Sequence, residues 1–159
     1  MIRIEDTKQD IMDRAVRFFD QGYACAQSVL LSFSGYFKLD ERTAKLIAST
    51  FGGGMGRLRE TCGAVTGGFM VLGLAYGNEQ PDNMDSKLHS YRKVRELNKR
   101  FVEKNATSNC KELLIKHATE QQVGERKHHK IICRKLVGEA TGIVYDILKE
   151  DQIYNEPIS

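Results

Sequence analysis

The sequence predicts an all-α protein, a single-domain helical bundle of about six or seven helices. Apolar residues recur at helical spacing along almost the whole chain. No stretch shows the alternation of apolar and polar residues that is typical of a strand. The chain has 159 residues, 41% of them hydrophobic, which suits one domain with a core that needs no disulfides. We therefore treat residues 1–159 as one helical domain.

The first half of the chain predicts three helices and a glycine loop. Apolar residues line one side of residues 7–19, and Gly22 ends that helix. Residues 23–33 form the second helix. The third begins after Asp40, a suitable N-cap residue. The glycines of residues 52–56 predict a loop between packed helices.

The second half predicts a buried helix and three more helical segments. Residues 59–76 are apolar and glycine-rich, which indicates a core helix whose glycines allow close approach of a backbone or a ligand. A long polar helix covers residues 84–105 and offers a face on which a second copy of the chain could pack. Residues 107–109 cap a short segment at 110–115, and the last helix covers residues 126–149.

Charge and hydropathy exclude several classes of protein. A net charge of +3 is too small to indicate a nucleic-acid-binding surface. The uncharged, largely apolar stretch at residues 61–77 is shorter than the ~20 apolar residues of a membrane-spanning helix. The N-terminal residues lack the apolar segment of a secretory signal, so we expect a cytoplasmic protein. In that reducing compartment cysteines are more often catalytic or metal-binding than structural.

Four cysteines, Cys25, Cys62, Cys110 and Cys133, carry the chemistry that the sequence offers. The first three lie near predicted helix starts, where the helix dipole and free N–H groups stabilise a thiolate. Cys133 lies in the middle of the last helix and is expected to point inward, with cationic residues nearby in the sequence. We expect Cys62, next to the glycine loop, to be the low-pKa nucleophile, and Cys25 to be its resolving partner.

The spacing of the cysteines leaves their pairing open. No Cys-x-x-Cys pair is present, so neither a zinc knuckle nor a thioredoxin-like motif is indicated. The glycine run 52–56 lacks the Lys-Ser/Thr ending of a phosphate-binding loop, and we interpret it as a turn that also shapes the thiol pocket. No Ser-His-Asp set and no pair of carboxylates indicates a hydrolase.

Taken together, the motifs around these cysteines resemble the C_GCAxxG_C_C family of redox-active proteins. The resemblance covers about residues 22–148 and rests on residues 25–30, 51–57, 60–67 and 110–114, and on Cys133 with the two residues 136–137. It implies that the four cysteines are the catalytic residues, with Gly63, Ala64 and Gly67 as cofactor-binding positions around Cys62. The chain departs from the family at Leu58 and Arg59, which occupy a place where a glycine is expected, and at Ala24, where an asparagine is frequent.

Three functions remain open from the sequence. The first is a thiol–disulfide exchange or electron-transfer protein, possessing thiol-disulfide oxidoreductase activity, whose partner is a redox protein or a small thiol or disulfide. The second is a metal-binding protein in which Cys25, Cys62, Cys110 and Cys133 ligate zinc or an iron–sulfur cluster. The third is a helical module whose cysteines only pack, with no cofactor. No nucleic acid or membrane partner is expected, and the chain is a candidate homo-oligomer.

Overall fold

The computed structural model describes residues 4–121 and 125–151, apart from the side chains of 119–121 and 125–128. Within these ranges, seven helices of eight or more residues confirm the all-α prediction. The described residues also form short helical turns at Gly35–Phe37, Ser49–Phe51 and Gly52–Met55 and an isolated antiparallel bridge between Thr61 and Asn109. The helices are α1 (Lys8–Asp20), α2 (Cys25–Ser34), α3 (Glu41–Ala48), α4 (Gly63–Tyr76), α5 (Met84–Asn105), α6 (Cys110–Gln121) and α7 (Glu125–Glu150).

The predicted starts of α1 and α3 are confirmed by their caps. The hydroxyl of Thr7 accepts a hydrogen bond from the backbone N–H of Asp10, whose carboxylate accepts one from the N–H of Thr7 in return. The carboxylate of Asp40 accepts a hydrogen bond from the N–H of Thr43. Each cap satisfies an N–H group that has no partner inside its helix, which fixes the first turn.

Two helix boundaries differ from the prediction. The buried helix α4 begins at Gly63 rather than at residue 59, because Arg59 has a left-handed φ of +60° and Thr61 forms the isolated bridge. The segment predicted at 110–115 continues to Gln121 as α6. The glycine loop contains one helical turn, Gly52–Met55, interrupted by left-handed glycines.

Helix α4 lies at the centre of the bundle. It packs against α2, α5 and α7, while α1 packs against α2 and α7. Glycines permit this crowding: a Cβ added to Gly67 would lie 2.7 Å from the carbonyl oxygen of Ala26, and one on Gly68 would lie 2.7 Å from Cδ2 of Leu97. The prediction that glycines admit a neighbouring backbone is therefore confirmed at Gly67.

The long helix α5 has an exposed apolar face. Met84, Leu88 and Tyr91 lie on successive turns of this helix and are exposed. Packing of this face against a second copy stays a prediction. None of the described helices is both long and apolar enough to cross a membrane.

Candidate four-thiol site

All four cysteines line one small cavity between α2, α4, α6 and α7. The space open to the centre of a water-sized sphere is about 30 Å³. That volume holds one or two waters, far below the several hundred Å³ of an organic cofactor site. The other residues that line the cavity are Gly53, Gly54, Arg59, Gly63, Leu113, Leu114 and Leu136. Folding thus assembles the dispersed cysteines into one site that admits little more than a single reacting atom.

Three of the four thiols lie at helix N-termini, as the sequence predicts. Cys25 is the first residue of α2, Cys62 is the N-cap of α4, and Cys110 is the first residue of α6. The positive ends of three helix dipoles therefore meet at the cavity. This arrangement favours negative charge on the sulfur atoms.

A short backbone pairing places the starts of α4 and α6 side by side. The N–H of Cys62 donates to the carbonyl of Ser108 at 2.8 Å, and the N–H of Cys110 donates to the carbonyl of Glu60 at 2.6 Å. These two bonds flank the isolated bridge between Thr61 and Asn109. The side chain of Asn109 also accepts a hydrogen bond from the N–H of Glu112 and so caps α6.

Cys133 on α7 and Cys25 on α2 line the same cavity, and each thiol shifts the pKa of the other. Interaction with Cys133 raises the pKa of Cys25 well above its usual value, and burial raises it further. Interaction with Cys25 lowers the pKa of Cys133, and the nearby charge of Arg59 lowers it too, against an opposing effect of burial. Cys133 is half-buried whereas Cys25 is buried. Both the exposure and the direction of these shifts favour ionisation at Cys133.

The expectation that Cys62 has a low pKa is wrong. Burial raises the pKa of Cys62 to about 12, although the backbone N–H groups of Ala64 and Val65 act in the opposite direction. The helix N-terminus was correctly located from the sequence, but the desolvation of the thiolate outweighs it. Cys62 therefore stays protonated at neutral pH.

Arg59 is a site residue that the sequence did not indicate as functional. Its Nη1 donates to Sγ of Cys110 at 3.7 Å, and its charge lowers the pKa of both Cys110 and Cys133. Burial has the larger effect on Cys110, so the pKa of that thiol is raised overall. The available signal was that this arginine occupies a position near which the family pattern has a glycine.

The glycine run makes room for the arginine and for one thiol. A Cβ on Gly54 would lie 2.6 Å from Cβ of Cys110 and 3.0 Å from Cα of Arg59. Gly53 and Gly54 both have left-handed φ values. The glycine run therefore shapes the thiol pocket, because Gly54 packs against Cys110 and Arg59. Its contacts are not with Cys62, as the sequence suggested.

The three residues expected at cofactor-binding positions have different surroundings. Gly63 lines the cavity, and a Cβ there would lie 3.2 Å from Cβ of Cys25. Ala64 is buried and directs its N–H towards Cys62. Gly67 contacts Ala26 on α2 instead of the cavity. Close contact with the thiols is thus found at Gly63 and Ala64.

The metal-ligand arrangement expected from the second hypothesis is not preformed. Among the residues that the structure describes, no group of three or more His, Cys, Asp or Glu side chains is placed to hold a metal ion. A shared cavity does not by itself place four sulfur atoms at the corners of a tetrahedron, as a zinc site requires.

Comparison with known proteins identifies the motif around this cavity. The model of a family described as "Putative redox-active protein (C_GCAxxG_C_C)" matches residues 23–147. This match spans all four cysteines and every helix from α2 to α6, with most of α7. No curated protein and no solved structure matches the chain.

Proposed function

The chain belongs to the C_GCAxxG_C_C family of redox-active proteins, and from that premise we propose that it performs thiol–disulfide exchange with Cys133 as nucleophile and Cys25 as resolving thiol. The observation that carries the proposal is that Cys25 and Cys133 line one small cavity in which Cys133 is the most exposed thiol. A buried thiol beside an accessible one can attack the sulfur of that neighbour once it is oxidised.

Exposure and charge favour Cys133 as the attacking sulfur. It is half-buried, while the other three cysteines are buried. Interaction with Cys25 and the charge of Arg59 both lower its pKa. An accessible thiolate is the form of cysteine that reacts with disulfides.

The reaction proceeds in two balanced exchanges. The Cys133 thiolate attacks one sulfur of a substrate disulfide, forms a mixed disulfide, and releases the other sulfur as a thiolate that takes a proton. The Cys25 thiol then loses its proton and attacks Cys133, which forms the Cys25–Cys133 disulfide and releases the second substrate thiol. Two electrons and two protons pass to the substrate, and a reducing partner thiol restores the protein by the reverse exchange.

The test is a count of free thiols in protein that is oxidised mildly and then reduced again, with the disulfide located by peptide mass analysis. We expect wild-type protein to lose two thiols reversibly, at Cys25 and Cys133. Cys25→Ser and Cys133→Ser should abolish this loss, whereas Cys62→Ser and Cys110→Ser should retain it. A disulfide that forms equally well in Cys133→Ser would contradict the proposal.

Elemental analysis of protein purified without oxygen separates the metal-binding hypothesis from this proposal. If the protein contains about one zinc or several irons per chain and its thiols are protected, the metal-binding hypothesis is supported and the thiol-exchange proposal is contradicted. If all four serine variants leave the redox behaviour unchanged and only lower stability, the cysteines have a packing role.

We also propose that the protein acts in the cytoplasm. The proposed cycle needs a thiol partner that restores the reduced protein, and a reducing compartment supplies such thiols. A disulfide that is fully formed in protein extracted from cells under thiol-trapping conditions would contradict this location.

A further inference from the structure

Arg59 is a half-buried cation beside the nucleophile, without a carboxylate to balance it. Within the part of the chain that the structure describes, its hydrogen-bond partner is Sγ of Cys110, and no ion pair involves it. A guanidinium held in partly desolvated surroundings gains most from a planar anion such as a carboxylate, which it can bind through two parallel hydrogen bonds. The site therefore presents an anion-binding group that the protein itself leaves unused.

The backbone holds Arg59 at the mouth of the cavity at an energetic cost. Arg57 and Arg59 have left-handed φ values of +66° and +60°, a conformation that costs a non-glycine residue about 1–2 kcal/mol. Hydrogen bonds from the N–H groups of Arg59 and Glu60 to the carbonyls of Gly53 and Gly54 close this loop. Strained residues that persist next to reactive groups commonly serve the function of the site.

The surroundings of Arg59 fit a substrate that has both an anionic and an apolar part. Leu58 is 73% exposed, so an apolar surface lies next to the guanidinium. The N-termini of α2, α4 and α6 add positive potential at the cavity. The other charged groups of the loop, Arg57 and Glu60, are exposed to solvent.

The size of the cavity decides how such a substrate would lie. About 30 Å³ accepts one sulfur atom beside Cys133 but not the body of an organic disulfide. The body must then remain outside the cavity, beside Leu58 and Arg59. A carboxylate attached close to the disulfide would come within reach of Arg59.

We propose that Arg59 is a specificity-determining residue that binds the carboxylate of a small anionic disulfide while Cys133 attacks its sulfur. This inference rests on the proposed function, since it requires Cys133 to be the nucleophile. The substrate class is a disulfide of thiols that carry a carboxylate near the sulfur. The substrate sulfur enters the cavity, and its charged end stays at the loop.

The test compares the rates at which reduced protein reacts with two aromatic disulfides, the dianionic dithiobis(nitrobenzoate) and the neutral dithiodipyridine. We expect Arg59→Gln to lower the ratio of the anionic to the neutral rate by about tenfold, the effect of one charge-assisted hydrogen bond. Arg59→Lys should restore part of the ratio. The matched control is Arg57→Gln, which removes an exposed arginine of the same loop and should leave the ratio within about twofold of wild type.

The ratio of the anionic to the neutral rate separates binding of the carboxylate from any change in the reactivity of the thiol, because a change in the thiol affects both rates. If Arg59→Gln slows both reagents equally, Arg59 acts through the thiolate or the loop, and the proposal is overturned. An equal fall of the ratio in Arg57→Gln would also overturn it, because the effect would then belong to the general surface charge. Arg59→Gly suits the left-handed backbone and removes the charge, so it provides the same comparison if the glutamine variant does not fold.

Failure of the proposed function gives a different result. If Cys133→Ser reacts with the neutral reagent as fast as wild type does, the nucleophile has been wrongly assigned, whatever Arg59 does. If Cys133 reacts as fast as expected and Arg59→Gln leaves the rate ratio unchanged, the exchange mechanism stands. Only the proposal that Arg59 selects an anionic disulfide is then contradicted.

Discussion

Replacing Gly54 by alanine should destabilise the protein and disturb the thiol site together. The new Cβ would lie 2.6 Å from Cβ of Cys110, 2.9 Å from the backbone nitrogen of Glu60 and 3.0 Å from Cα of Arg59. Two of these three atoms belong to the backbone of a loop that is closed by hydrogen bonds. They cannot turn away as the end of a flexible side chain could.

The expected loss of stability has two parts. The left-handed φ of +68° at Gly54 costs alanine about 1–2 kcal/mol. Insertion of a methyl group into a filled site costs about 1–3 kcal/mol. The free energy of unfolding should therefore fall by roughly 2–5 kcal/mol, a large part of the ~5–15 kcal/mol that a domain possesses. Urea denaturation measures this loss, and the reaction rate of the thiols reports the accompanying shift of Cys110.

Two other glycines provide the controls. Gly22 has a φ of +107° and no atom within 4 Å of an added Cβ, so Gly22→Ala measures the cost of the backbone conformation alone. Gly73 lies inside α4 with open space around it, and Gly73→Ala should be neutral or stabilising by up to about 1 kcal/mol. If Gly54→Ala is no more destabilising than Gly22→Ala, the contacts with Cys110 and the loop do not constrain the site as argued.

The remaining predictions concern a titration, a helix cap and the core. Because burial raises the pKa of Cys62 to about 12, its contribution to stability is complete below the unfolded thiol pKa of about 8.5 and is lost as the pH rises towards 12. Cys62→Ala should flatten this alkaline fall, of about 1.4 kcal/mol per pH unit, in denaturation curves recorded at several pH values. Asp40→Ala removes the acceptor for the N–H of Thr43 and should cost about 1 kcal/mol, whereas Asp40→Ser should retain most of the stability. Leu136→Ala deletes a buried side chain from the wall of the thiol cavity and should cost about 2–5 kcal/mol; a loss under about 1 kcal/mol would mean that the cavity wall collapses freely.

The helices were predictable because their signals are local. The helix near residues 7–19, the cap at Asp40 and the turn at Gly22 are each encoded within a few residues, and the structure confirms them. The start of α4 was placed too early because the apolar run gives no sign that Arg59 would be left-handed. That conformation depends on hydrogen bonds to Gly53 and Gly54 and on the pairing with residues 108–110.

The site was predictable in its members but not in its chemistry. The four cysteines and the helix starts that carry three of them could be read from the residues. Which thiol ionises could not, because the pKa of a thiol depends on its burial and on its neighbours. At Cys62, burial raises the pKa by more than the N–H groups at the helix N-terminus lower it. At Cys133, Cys25 and Arg59, which are distant in the sequence, lower the pKa and favour the thiolate.

The sequence by itself determined that this protein is an all-α bundle of the C_GCAxxG_C_C family and that it carries the four dispersed cysteines of that family's motif. Helical periodicity and short motifs are properties of neighbouring residues, so no folded structure was needed to read them. Tertiary structure alone decided that the four thiols line one cavity, that burial raises the pKa of Cys62 to about 12, and that Arg59 lies among the thiols. These facts depend on distance and dielectric surroundings, which arise only when segments far apart in the chain pack together.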